Sequence, residues 1–126
     1  MKTVGIIGGL GPETTAEFYL EVSFGCFQKN KERRPGILIW NVPQSYKIEK
    51  EAQIEATGED KYIPYLIDAA KMLEKSGADF LVMPCNTLHM FIKEMRSSVK
   101  VPVLSIIEET IKFLKNKNIK KVGILV

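Results

Sequence analysis

Cys85 stands in the run Met83-Pro84-Cys85-Asn86-Thr87-Leu88-His89, between an apolar segment of strand character and a segment of helical period. A thiol at such a junction has the chemistry of a reactive thiolate. The amino terminus of a helix stabilises negative charge, so a cysteine there is expected to ionise below the reference pKa of about 8.5. Asn86 and Thr87 are suited to capping, and their side chains and N–H groups are expected to hold a substrate carboxylate beside the sulfur. The bland alternative is one more small buried residue, a common fate of cysteine. A polar, capped strand end is a poor place to hide a side chain. His89 follows Cys85 by four residues and can face the same way on a helix, bonding the loop, tuning the thiol, or sitting buried and neutral on a backbone partner. Two such residues do not make a zinc site, and no metal is expected. Cys26, the second cysteine, lies among Phe24, Gly25 and Phe27 late in a helical segment and reads as structural.

Gly8-Gly9-Leu10-Gly11-Pro12 forms a second candidate, a glycine turn running into a helix. Backbone N–H groups unshielded by side chains, with the positive end of a helix dipole behind them, make a seat for an anion. No Gly-Lys-Ser/Thr follows and the third glycine of the dinucleotide fingerprint is missing, so a carboxylate fits better than a nucleotide phosphate. Tight packing alone would explain the same glycines. Substrate-binding candidates are therefore Gly9, Leu10, Gly11, Asn86 and Thr87. The long stretch from Val42 to about Gly58 carries Pro43, Gln44, Tyr46, Lys47 and Lys50 and reads as an irregular, functional loop.

The elements that must position these residues read as an α/β domain. Lys2 to Ile7, Gly36 to Trp40, Phe80 to Met83, Val101 to Leu104 and Lys121 to Val126 are short apolar runs, continuous rather than alternating, as in strands buried on both faces of a parallel sheet. Helical segments run from Glu13 to about Gln28, Tyr62 to about Ser76, Thr87 to about Ser97, and Ile107 to Asn116. Tyr65, Leu66, Ala69, Ala70 and Leu73 make an apolar stripe in the second of them. Pro12 suits a first helical turn and Gly77 a helix stop. The alternation predicts a doubly wound parallel sheet of four to five strands with helices on both faces. In such sheets ligands bind beyond the carboxyl ends of the strands, where all three loops fall.

The chain of 126 residues is the size of one domain, with 45% apolar and 26% charged residues. That balance suits a packed globular unit. A net charge of +3 is too mild to argue for nucleic acid. No apolar run approaches the roughly 20 residues that span a bilayer, and the start lacks a signal-peptide pattern, so no membrane partner is expected and the reading is cytoplasmic. Two cysteines far apart are expected as free thiols there.

With these residues in view, the sequence resembles the aspartate/glutamate racemase family, most closely its aspartate racemases. The likeness rests on Val4-Gly5-Ile6-Ile7-Gly8-Gly9-Leu10-Gly11-Pro12 with Thr14-Thr15, on Asn41-Val42-Pro43-Gln44, on Gly77-Ala78-Asp79-Phe80 leading into the Cys85 motif, and on Pro102 with Ser105 to Thr110. The resemblance implies catalysis with no cofactor, pyridoxal phosphate included, by two thiols on opposite faces of a small acidic amino acid. It implies Cys85 as the first thiol, with Asn41, Gln44, Asn86, Thr87 and the glycine loop around the substrate. Family members have two pseudo-symmetric lobes and carry the second thiol in the second lobe. Residues 1–118 then correspond to the amino-terminal lobe, and residues 119–126 to the first strand of a second lobe or to an edge strand. Where aspartate racemases have an arginine for the side-chain carboxylate, this chain has Ser45-Tyr46-Lys47-Ile48, and Lys47 is the candidate substitute. Two alternatives remain open. One is a non-catalytic dicarboxylate-binding or assembly module, whose bare last strand would allow a homodimer; the other is a related isomerase or decarboxylase of dicarboxylic acids.

Overall fold

The computed structural model describes residues 1–125, with Gln53 described by its backbone alone. Three parallel strands, β1 (Thr3–Gly8), β2 (Gly36–Asn41) and β3 (Phe80–Val82), lie in the order β2-β1-β3. The pairing registers Ile6 on Ile39 and on Val82. Beyond β3, Val103 forms an isolated parallel bridge to Leu81, held by Leu81 N–H to Pro102 O and Leu104 N–H to Leu81 O. The expected fourth strand is thus a single bridge. The expected fifth strand does not form among the described residues: 119–125 runs without a strand partner, Ile124 and Leu125 lie open to solvent, and Val126 lies outside the described residues. A strand exists only where a neighbour takes up its backbone N–H and C=O groups, and an apolar run has no way of announcing whether one is present.

Among the described residues five α-helices accompany the sheet: α1 (Pro12–Lys29), α2 (Tyr46–Ile54), α3 (Ile63–Lys75), α4 (Ile92–Ser98) and α5 (Ile106–Asn116). Both faces are covered, because alternate residues of β1 point to opposite sides. Gly5 turns toward α3 so closely that a Cβ there would meet Leu81, Ala78 and Leu73 within 3.2 Å. On the other side Val4 shares a cavity wall with Phe18 and Val22 of α1. The α3 stripe, Leu66, Ala69, Ala70 and Leu73, is buried against Ile7, Leu81, Met83 and Met95, which makes this side the main core. Each fully buried leucine contributes about 1.5 to 3 kcal/mol relative to exposure.

Gly77 ends α3 as expected. Its φ of +95° lets Gly77 N–H reach Glu74 O and Ala78 N–H reach Leu73 O, which satisfies carbonyls that the helix would otherwise leave open. Two expectations need correction. The stretch 42–58 is not irregular throughout, since it contains α2, whose amino terminus is capped by Ser45 Oγ accepting from Ile48 N–H at 3.3 Å. Ile48 and Ala52, one turn apart, pack on the core and hold α2 down. The helix expected from Thr87 begins instead as a 3₁₀ turn, Thr87–Phe91, and only becomes α-helical at Ile92.

Candidate active site

The ends of β1, β2 and β3 present their loops on one edge of the sheet. There Leu10, Gln44, Ala52, Glu59, Tyr62, Cys85, Thr87 and Leu88 line a cavity of about 300 Å³. That is the small end of the range for ligand pockets. Leu10 comes from the glycine turn after β1, Gln44 from the segment after β2, and Cys85, Thr87 and Leu88 from the loop after β3. Ala52 belongs to α2, while Glu59 and Tyr62 belong to a 3₁₀ turn, Glu59–Tyr62, that leads into α3.

Cys85 is partly buried and is a free thiol. Its backbone is gripped on both sides: Cys85 N–H donates to Met83 O at 2.8 Å, and Cys85 O lies 2.8 Å from His89 Nδ1. The other ring nitrogen, Nε2, accepts from Ile106 N–H at 3.0 Å. An acceptor at Nε2 puts the ring proton on Nδ1, so His89 is a neutral imidazole donating to the Cys85 carbonyl. It is 3% exposed and touches the loop backbone, not the cavity. Asn86 does not cap the turn that follows; it has αR dihedrals, makes no side-chain cap bond, and lines a separate apolar groove with Phe18, Leu104 and Ile106. With so short a turn and no cap, the seat expected from Asn86 at a helix amino terminus is not built here.

The glycine turn is closed upon itself. Gly9 N–H donates to Thr15 Oγ1 at 3.0 Å, and the Thr15 hydroxyl donates to Gly11 O at 3.1 Å. The Gly9 amide is therefore engaged by Thr15 rather than offered to an anion. Glycine is required at position 9 for two reasons. Its φ is +80°, and a Cβ would stand 2.4 Å from Asn41 Oδ1. Asn41 thus packs on the turn and Gly11 shapes its exit, and neither lines the cavity.

Gln44 ties the turn to the segment after β2, its Nε2 donating to Gly9 O at 3.2 Å. That contact orients the amide and leaves Oε1 as a buried acceptor with no partner among the described residues. Lys47 is exposed on the first turn of α2, outside the cavity wall, where its charge helps hold the Glu51 carboxyl below its ordinary range, behind the larger effect of Lys61. Cys26 lies on α1 with Val4, Val22 and Phe80, on the opposite side of the sheet from α3.

Two polar residues in the wall have no counterpart among the sequence-based candidates. Tyr62 is 4% exposed, and burial pushes its phenol above the ordinary value, with the charges of Glu49 and then Cys85 adding to the effect. Glu59 is half-buried and, among the described residues, its side chain takes part in no hydrogen bond or ion pair. The usable signal was Ser45 ahead of Ile48 and Ala52 at helical spacing. It marks a helix that folds the connection back over the strand ends and brings the 3₁₀ turn beside Cys85.

Among the described residues no helix is long and apolar enough to cross a membrane. Comparison with known proteins agrees with the geometry. Residues 7–126 match the family model described as Asp/Glu/Hydantoin racemase. The broad specificity amino-acid racemase RacX of Bacillus subtilis (strain 168) is 34% identical over 113 residues, 86% of this chain and 48% of that protein. An aspartate racemase homologue from Pyrococcus horikoshii OT3 superposes with a TM-score of 0.76 at 30% identity, over 93% of this chain and 50% of that one. Picrophilus torridus aspartate racemase gives a TM-score of 0.72 at 29% identity, over 93% and 48% of the two chains. The chain spans about half the length of these relatives. A parallel sheet with a partly buried thiol at its carboxyl edge, matched over residues 7–126, makes this chain a member of the Asp/Glu/Hydantoin racemase family.

Proposed function

We propose that this chain carries one half-site of a cofactor-independent amino-acid racemase, with Cys85 as a proton-transferring base. The observation that carries the reading is the position of Cys85 in the wall of a cavity formed by the strand-end loops. In the reaction the Cys85 thiolate takes the α-hydrogen, so a C–H bond breaks and an S–H bond forms. The electron pair stays on the α-carbon and spreads into the carboxylate, and a proton returns from the opposite face. Inversion through a planar carbanion needs an acid facing the base. Cys26 is on the wrong side of the sheet for that role, so the second acid comes from outside this half-site, as the family resemblance implies. Residues 1–118 are read accordingly as the amino-terminal lobe.

The wall offers the polar groups an amino acid requires. The unpartnered Oε1 of Gln44 suits the α-ammonium, while the Thr87 hydroxyl and the backbone of Leu10 suit the α-carboxylate. Donors to that carboxylate matter most as the carbanion forms, because no cofactor takes up its charge. The side-chain carboxylate implied by the resemblance meets no lysine or arginine in this wall, and Lys47 lies outside it. The two free cysteines suit a reducing, cytoplasmic setting.

The test is exchange of the α-proton in deuterated water. The chain should label one enantiomer of a bound amino acid, and Cys85→Ala should abolish the labelling. Labelling that persists in Cys85→Ala, or that never occurs even with the second half of a relative supplied, rejects the reading.

A second reading, assembly through a second copy, is favoured by the exposed apolar residues Phe24 and Phe27 of α1 and Ile107, Ile111 and Phe113 of α5. Such patches mark association surfaces. Light scattering tests it: a dimer that Phe24→Glu with Phe113→Glu converts to monomer supports it, and a wild-type monomer rejects it.

A further inference from the structure

Resting on the racemase reading of the same cavity, we infer that the substrate's side chain is cationic and that Glu59 selects it. In the wall built by this chain Glu59 is the one formally charged residue whose charge is uncompensated among the described residues. Cys85 is reserved for the α-hydrogen, Gln44 Oε1 for the α-ammonium, and Thr87 with Leu10 for the α-carboxylate. All of these except Gln44 come from the loops after β1 and β3. Glu59 enters the wall from the connection between β2 and α3, apart in the chain from the groups reserved for the α-carbon and α-carboxylate.

The charge around Glu59 points the same way. Residues 47–61 hold five acidic and three basic side chains, in a chain whose overall charge is +3. Two of the three cations there are committed to Glu51: Lys61 forms its ion pair, and Lys47 adds to the field on it. The Glu49 charge is felt at the Tyr62 hydroxyl, which borders the same space. A second carboxylate brought in by a substrate would face this field with no lysine or arginine in the wall to receive it, and like charges in a half-buried site repel. An ammonium or guanidinium at the end of a substrate side chain would give Glu59 the charge-assisted partner it lacks. The substrate class is therefore a basic amino acid such as lysine, ornithine or arginine.

Titration calorimetry on the chain with L-lysine, with L-norleucine, which keeps the four-carbon chain and lacks the ammonium, and with L-glutamate tests this. Lysine should bind roughly tenfold more tightly than norleucine, and glutamate most weakly. Glu59→Gln should erase the advantage of lysine while leaving norleucine unchanged, and Glu59→Lys should turn the preference toward glutamate. Circular dichroism of each variant separates loss of selectivity from loss of fold. Glutamate preferred by the wild type, equal weakening of all three ligands in Glu59→Gln, or no binding of any of them overturns the assignment. Equal weakening would place Glu59 on the α-ammonium instead. Deuterium exchange at the α-carbon, read alongside, reports on the racemase reading alone. Exchange that favours glutamate keeps the racemase and removes the inference, whereas lysine-selective binding without Cys85-dependent exchange keeps the inference and removes the racemase.

Discussion

His89 Nδ1 lies 2.8 Å from the carbonyl oxygen of Cys85, and the same ring accepts Ile106 N–H through Nε2. One buried imidazole thus ties the loop that carries the thiol to the start of α5. His89 acts on Cys85 through the backbone, as a positioning residue.

Replacement of His89 by Ala should therefore destabilise the fold as well as loosen the site. It leaves Cys85 O and Ile106 N–H without partners in a buried setting, at about 1 to 3 kcal/mol for each group left unmade. A drop of a few kcal/mol in the urea unfolding free energy is the expected result, with unchanged stability as the contrary one.

Cys85 and Cys26 provide an internal comparison. Cys85 borders the strand-end cavity, the place proposed above for the base, whereas Cys26 sits on α1 beside Val22. Under limiting iodoacetamide, mass spectrometry should find Cys85 modified about tenfold faster than Cys26, in line with the greater reactivity of thiolates. Equal rates would count against an activated sulfur.

Gly9→Ala should cost about 1 to 3 kcal/mol through its left-handed backbone, with the contact to Asn41 adding to it. Asn41→Ala in the same chain should recover the steric part and leave the backbone part. A double-mutant cycle by chemical denaturation separates the two, and additivity of the single changes would show that the side chains never met.

Arg96 clamps α4, the Val103 edge and α5 together. Its Nε and Nη2 donate to Val103 O at 3.0 and 2.9 Å, and Nη1 and Nη2 donate to the two oxygens of Glu108 at 2.8 Å each. The guanidinium holds the Glu108 carboxyl below its ordinary value of 4.5, and Lys61 does the same for Glu51. A carboxyl whose pKa is lower in the folded than in the unfolded state stabilises the fold above the unfolded value. That contribution fades as pH falls through the folded value. The stability gap between wild type and Arg96→Ala, read from urea midpoints, should therefore be full at neutral pH and narrow below 4.5, with both pairs exposed enough for salt to weaken them. A gap that widened on acidification would contradict the clamp.

Local chemistry made much of this protein legible from the chain. The apolar runs Lys2 to Ile7 and Gly36 to Trp40, the α3 stripe and the Gly77 stop depend on side-chain period and backbone preference, which residues carry with them, and the structure has each of them within a residue of where it was expected. The Cys85 motif marked the strand end at which the cavity lies. What tertiary structure decided was which groups face one another. Only the docking of α2, through Ile48 and Ala52, brings Glu59 and Tyr62 to Cys85 from more than twenty residues away and leaves Lys47 outside. Only the closing of the glycine turn by Thr15 withdraws the Gly9 amide from anion binding. Partner choice among hydrogen-bonding and charged groups depends on distance and burial across the chain, and neither quantity is written in a local run of residues.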